Sequence, residues 1–141
     1  MEKKGTFAEI GKTEDRMYGP RALLVCGYAE EERPDFLSLI EASLPEDIRV
    51  IFAATPDLGT RMGYLFIREA KAGLMEASVM PRAVIMSGLT ENELHGLMAA
   101  YKQAGFKRQI WAALTPVSED WPLEFLLKEL QTEDRAIKGK R

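Results

Sequence analysis

Two nucleophilic side chains stand immediately before a glycine, Cys26-Gly27 and Ser87-Gly88, each at the end of an apolar run. A thiol or hydroxyl in such a turn becomes reactive when a base or cation lowers its pKa. The free amides of a following helix start hold anions. Thr55 and Thr115 each precede a proline, with Asp57 and Asp120 nearby, and Trp121 stands beside the start of the last helix. In an open parallel sheet, ligands collect beyond the carboxyl ends of the strands. Cys26, Gly27, Thr55, Ser87, Gly88, Thr115 and Trp121 are therefore the candidate ligand-binding residues. Each also has an ordinary structural reading: a small buried thiol, tight strand-to-helix turns, threonine turns closing on backbone amides, and an indole plugging the sheet.

The surroundings do not complete a catalytic set. The only histidine, His95, follows Leu94 and so points about 100° off the apolar stripe of its helix. One histidine and one cysteine offer no metal-ligand spacing, and neither glycine turn has the spacing of a phosphate loop or dinucleotide fingerprint. The acidic runs Glu30-Glu31-Glu32 and Glu119-Asp120 read as solvated faces, with no acid and base assignable. No catalytic residue, metal or cofactor is assigned, and whether the protein is an enzyme stays open.

The elements that position these residues say nearly the same thing twice. Pro20-Arg21-Ala22-Leu23-Leu24-Val25-Cys26-Gly27 is answered about sixty residues later by Pro81-Arg82-Ala83-Val84-Ile85-Met86-Ser87-Gly88. A repeat at fixed period is read before anything else because it determines the fold. Ala22 to Cys26 and Ala83 to Ser87 are near-continuous apolar runs, as in strands buried on both faces. A helix follows each. The first begins near Glu32 or Arg33, because Pro34 is tolerated only in a first turn. The second opens on the capping box Thr90-Glu91-Asn92-Glu93. Phe36, Leu37 and Ile40 match Leu97, Met98 and Tyr101.

Second strands are read at 49–54 and 108–113, each closed by a Thr-Pro pair. Second helices carry Met62, Leu65, Phe66 and Ala70, and Leu123, Leu126, Leu127 and Leu130. Arg21 and Arg82, ahead of the first strands, are read as serving solubility or a subunit contact. Met75, Met80, Met86 and Met98 are read as packing the junction of the halves.

The expected fold is thus α/β: a duplicated β-α-β-α unit forming one pseudo-symmetric domain with a mainly parallel four-stranded sheet. A ferredoxin-like α+β arrangement is the alternative. The expected organisation is an N-terminal tail at 1–19, a single domain at 20–135 made of repeats 20–78 and 81–133, and a basic tail at 136–141.

With 141 residues, 46% hydrophobic and 29% charged, the chain has the size and composition of one globular domain. The net charge of -3 argues against nonspecific nucleic-acid binding. A single cysteine excludes an intramolecular disulfide and suits a reducing compartment. No run approaches the ~20 apolar residues of a membrane span, and the first residues lack a signal peptide's apolar core. A cytoplasmic protein is expected.

The second half resembles a bacterial family. The markers are Met86-Ser87-Gly88-Leu89, Glu91-Asn92-Glu93-Leu94, and Leu114-Thr115-Pro116 followed by Trp121 and Leu126-Leu127-Lys128-Glu129-Leu130. Together they are similar to the domain-of-unknown-function family numbered thirty-seven eighty-three, over Pro81 to about Glu133 and weakly in the first half. Pro122 replaces a residue usually polar in that family, and Ala112-Ala113 occupy a stretch that often carries a basic one. The resemblance implies no activity. The expected function is a noncatalytic binding or assembly module with a protein partner or a second copy. The alternative is a small-molecule enzyme or sensor at the strand ends.

Overall fold

The computed structural model describes residues 15–139. Expectations for residues 1–14 and for Lys140 and Arg141 lie outside the described residues. Strands β1 (Ala22–Cys26) and β3 (Ala83–Ser87) form where the apolar runs stand. Helices α1 (Arg33–Ser43) and α3 (Glu91–Gln103) follow them. β2 (Arg49–Phe52) and β4 (Ile110–Ala113) come next. α2 (Met62–Leu65) and α4 (Leu123–Gly139) close the two halves.

The four strands make one sheet in the order β2-β1-β3-β4. β1 and β2 are parallel, as are β3 and β4, while the central pair β1 and β3 is antiparallel. The sheet is thus parallel within each half and reverses where they meet. The parallel pairs distinguish it from the ferredoxin-like alternative. Registers agree closely: Ala22 faces Arg49 as Ala83 faces Ile110, and Cys26 faces Ala83 as Ala22 faces Ser87.

Strand side chains alternate between two apolar layers. Leu24, Cys26, Ile51 and Ile85 pack under α2 and α4 with Met62, Phe66, Leu123 and Leu127. Leu23, Val25, Phe52 and Val84 pack under α1 and α3 with Phe36, Ile40, Leu97 and Tyr101. Both faces of the sheet are therefore covered, which explains why β1 and β3 read as unbroken apolar runs. The methionines divide: Met86 is buried and Met80 partly so, whereas Met75 is exposed.

Four boundaries differ from the sequence reading. β2, read to 54, ends at Phe52. The helix expected to reach Ala70 stops at Leu65, and Ala70 is exposed. β4 begins at Ile110, two residues later than expected, because Ile110, not Arg108, occupies the place opposite Ala83 that Arg49 holds opposite Ala22. α4 continues through Gly139, so residues 136–139 are helical. Part of the expected N-terminal tail is docked: the Met17 amide donates to Leu89 O (2.8 Å) and the Gly88 amide to Tyr18 O (3.0 Å). Among the described residues no helix is long and apolar enough to cross a membrane.

Candidate functional site

The antiparallel centre of the sheet separates the candidate residues. Cys26 lies beside Ala83 at one end of the strand pair, and Ser87 beside Ala22 at the other. Five residues of strand span about 13 Å. Cys26, Gly27 and Thr55 thus belong to one end, and Ser87, Gly88 and Thr115 to the opposite one. Trp121 packs edge-on to Phe125 at 4.8 Å, and its carbonyl accepts from the Met62 amide.

Each candidate has a local partner. Cys26 is fully buried, and burial, aided by the Asp57 carboxylate, pushes its thiol pKa up, away from reactivity. Gly27 has φ +76°, and an added Cβ would stand 2.5 Å from Met80 O and Pro81 O; Gly88 has φ +71° and the same fit against Gly19 O and Pro20 O. Ser87 Oγ donates to Tyr18 O. Thr55 Oγ1 accepts from the Val79 amide and donates to Ala77 O. The Thr115 amide donates to Ser118 Oγ at 3.1 Å, as the Ala54 amide donates to Asp57 Oδ2 at 2.8 Å. The structural counterpart of Thr115 is therefore Ala54; the repeated Thr-Pro pairs match one position out of step. Among the described residues no group of three or more His, Cys, Asp or Glu is placed to hold a metal ion.

Arg21 and Arg82 do not serve the surface. Arg21 forms a two-pronged pair with Glu93 (2.8 Å each) and a further pair with Asp47. Arg82 pairs with Glu32 at 2.7 Å and lies 3.9 Å over the Tyr28 ring. Each arginine thus reaches the helix start of the other half. Glu32 and Glu93 also cap equivalent amides, those of Ala29 and Thr90. The Arg21 guanidinium holds the Glu93 carboxyl below its usual range against the opposing effect of burial.

The outer strands are where the halves part company. In β2, Arg49 and Ala53 donate inward to Arg21 O and Val25 O, so Val50 and Phe52 face outward. That edge is closed by the chain itself: the Lys71 amide donates to Val50 O (2.6 Å) and the Phe52 amide to Ala72 O (2.8 Å). Buried Arg33 holds the same segment, donating to Tyr28 O, Gly73 O and Leu74 O. Arg49 donates to Phe66 O and Arg68 O.

In β4, Ile110 and Leu114 donate inward to Arg82 O and Met86 O, so Trp111 and Ala113 face outward. Among the described residues nothing donates to Trp111 O or accepts from the Ala113 amide. Every residue of β4 is partly exposed. A groove of about 650 Å³ runs beside this edge, with Met98, Tyr101, Lys102, Phe106, Gln109 and Trp111 among its walls. Phe106 stacks on Tyr101 at 5.0 Å, and Trp111 meets Tyr101 edge-on at 5.3 Å. Gln109 accepts from Tyr28 Oη at 2.5 Å, yet its buried Nε2 has no partner among the described residues.

The sequence reading missed this edge. Its signal was a polarity difference between the halves, visible only with the strands in their true register.

Residues 82–137 match the family described as Domain of unknown function (DUF3783). That span is the second half of the chain, from Arg82 through most of α4. Comparison with curated proteins and with solved structures gave no match.

Proposed function

We propose that this protein is a noncatalytic binding module that takes up an extended stretch of another polypeptide along the outer edge of β4. One observation carries this reading. Val50 O and Phe52 N–H are closed by the chain's own residues, whereas Trp111 O and Ala113 N–H at the matching place are open among the described residues. An unpaired strand edge is a template for a further strand, and strand addition is a recurrent mode of peptide capture. The aromatic groove alongside supplies pockets for side chains.

The matching of positions supports descent of both halves from one copied β-α-β-α unit. A single spacing of sixty-one relates Arg21 to Arg82, Glu32 to Glu93, Gly27 to Gly88 and Met62 to Leu123. It also turns the Leu123 N–H to Thr60 O bond into the Met62 N–H to Trp121 O bond. The alternative, a small-molecule enzyme or sensor at the strand ends, needs two separate sites, because the candidate residues divide between opposite ends of the sheet. The single buried cysteine supports a cytoplasmic setting.

The test is a photo-crosslinking amino acid at position 98 of the full chain in its native cells, compared with the same protein carrying Ala113→Pro. Proline removes the outward N–H and is tolerated on an edge strand. Polypeptide adducts that vanish with Ala113→Pro support strand addition. Adducts that persist unchanged, or none at all, contradict it.

A further inference from the structure

The first half displays its own occupant, and its charges indicate what the second half accepts. The closing segment carries Lys71, whose Nζ lies 4.0 Å from Glu41 at the rim of a groove of about 450 Å³ between α1 and β2. That groove is the counterpart of the one beside β4. Leu37, Ile40 and Val50 in it stand where Met98, Tyr101 and Trp111 stand in the other.

On the helix side, however, the grooves carry opposite signs: Glu41 and Glu46 line the first, Lys102 and Arg108 the second. Glu41, Glu46 and Asp47 occupy the positions held by Lys102, Lys107 and Arg108 in the second half. Arg108 is paired with Asp134, but Lys102 is exposed and has no carboxylate partner among the described residues. The residues that fasten the first segment are also absent. Leu94 stands where Arg33 would be and Ile110 where Arg49 would be. The second groove therefore lacks the means to hold a copy of segment 70–74. It has instead the exposed Lys102 beside an open strand edge.

We infer that the β4 groove binds an extended segment of a partner protein with an acidic side chain where the first half's occupant carries Lys71. This rests on the binding-module reading above. The segment lies antiparallel to β4: its backbone N–H at the acidic residue donates to Trp111 O, the carbonyl two residues earlier accepts from the Ala113 amide, and the acidic side chain stands on the Trp111 face of the sheet. Its carboxylate then lies against Lys102. Opposite charges lower the energy of this arrangement and like charges raise it, so sign selects the partner.

The experiment uses two end-capped eight-residue peptides. One has the sequence of residues 68–75 and the other is identical except for Lys71→Glu. Each is titrated into the full chain while the backbone amides are followed by NMR. The Glu peptide is expected to shift the Trp111 and Ala113 amides, with affinity about fivefold above the Lys peptide at low salt. Lys102→Glu is expected to reverse the preference. Equal binding of both peptides at β4 overturns the charge inference and leaves the binding-module reading standing. No shift at β4 with either peptide overturns both. Shifts of these amides with protein concentration alone assign the edge to a second copy, and shifts on removing residues 1–14 assign it to the chain's own beginning. Either result overturns the acidic partner.

Discussion

The two halves share strand registers, turns and crossed ion pairs, yet they finish their outer strands in opposite ways. After β2, the chain makes one turn of helix and folds back, so that Lys71 and Ala72 satisfy the exposed edge. After β4, it enters a helix of 17 residues, and among the described residues it does not return to the edge. The difference follows from a few side chains. Arg33 and Arg49 collect the carbonyls of the returning segment, and Gly73, with φ +79°, lets it pass close to Phe52 O. Leu94 and Ile110 can do neither. A shared framework can therefore be self-sealed on one side and left open on the other without disturbing the core.

The comparison can be broken most severely at its glycines. Gly27→Ala and Gly88→Ala each force a side chain into positive φ and against backbone carbonyls. Each is expected to lose about 3 kcal/mol in urea denaturation. A large loss at one glycine and none at the other would deny their equivalence. Arg33→Leu copies the second half into the first and strands the carbonyls of Tyr28 and Leu74. It should lose about 2 kcal/mol and speed hydrogen exchange at the Phe52 amide, whereas retained protection there would show that Arg33 does not hold the segment.

Acid sharpens the ion-pair comparison. Glu93 has a folded pKa lowered below 4.5, chiefly by Arg21. Its contribution is present above that unfolded value and is lost as pH falls through the lower folded value. Stability should therefore decline below about pH 4.5, with a part of about 1 kcal/mol that Arg21→Ala removes. An identical pH profile in that variant would sink the assignment. The smallest effect lies at the helix starts. Thr90 caps the Glu93 amide at 3.1 Å, while Ala29 at the matching place has no capping side chain. Thr90→Ala should destabilise by about 1 kcal/mol, and Ala29→Thr should stabilise by about 0.5 kcal/mol, both read from the denaturation midpoint.

Much of the framework was legible because it is local. The apolar runs gave β1 and β3 to the residue, Pro34 located the start of α1, and Thr90 with Glu93 located that of α3. The outer strands were misaligned for a physical reason. Matching Arg49 to Arg108 departs by two residues from the observed register, in which Ile110 matches Arg49, and a slip of two in a strand preserves which side chains face inward. The apolar pattern therefore raised no objection, while the charge reversal from Glu41 to Lys102 stayed hidden. The roles of Arg21 and Arg82 were illegible because Glu93 and Glu32, with which they pair, lie in the other half. The candidate ligand residues looked convergent only under an all-parallel sheet, and the antiparallel pairing of β1 with β3 separates them.

Amide hydrogen exchange in the full chain compares the two edges most directly. The Phe52 and Lys71 amides, bonded to Ala72 O and Val50 O, should be protected, and the Ala113 amide should exchange orders of magnitude faster despite its matching place in the sheet. An Ala113 amide as slow as Phe52 in the isolated protein would mean that the β4 edge is already sealed, and the proposed docking edge would be lost.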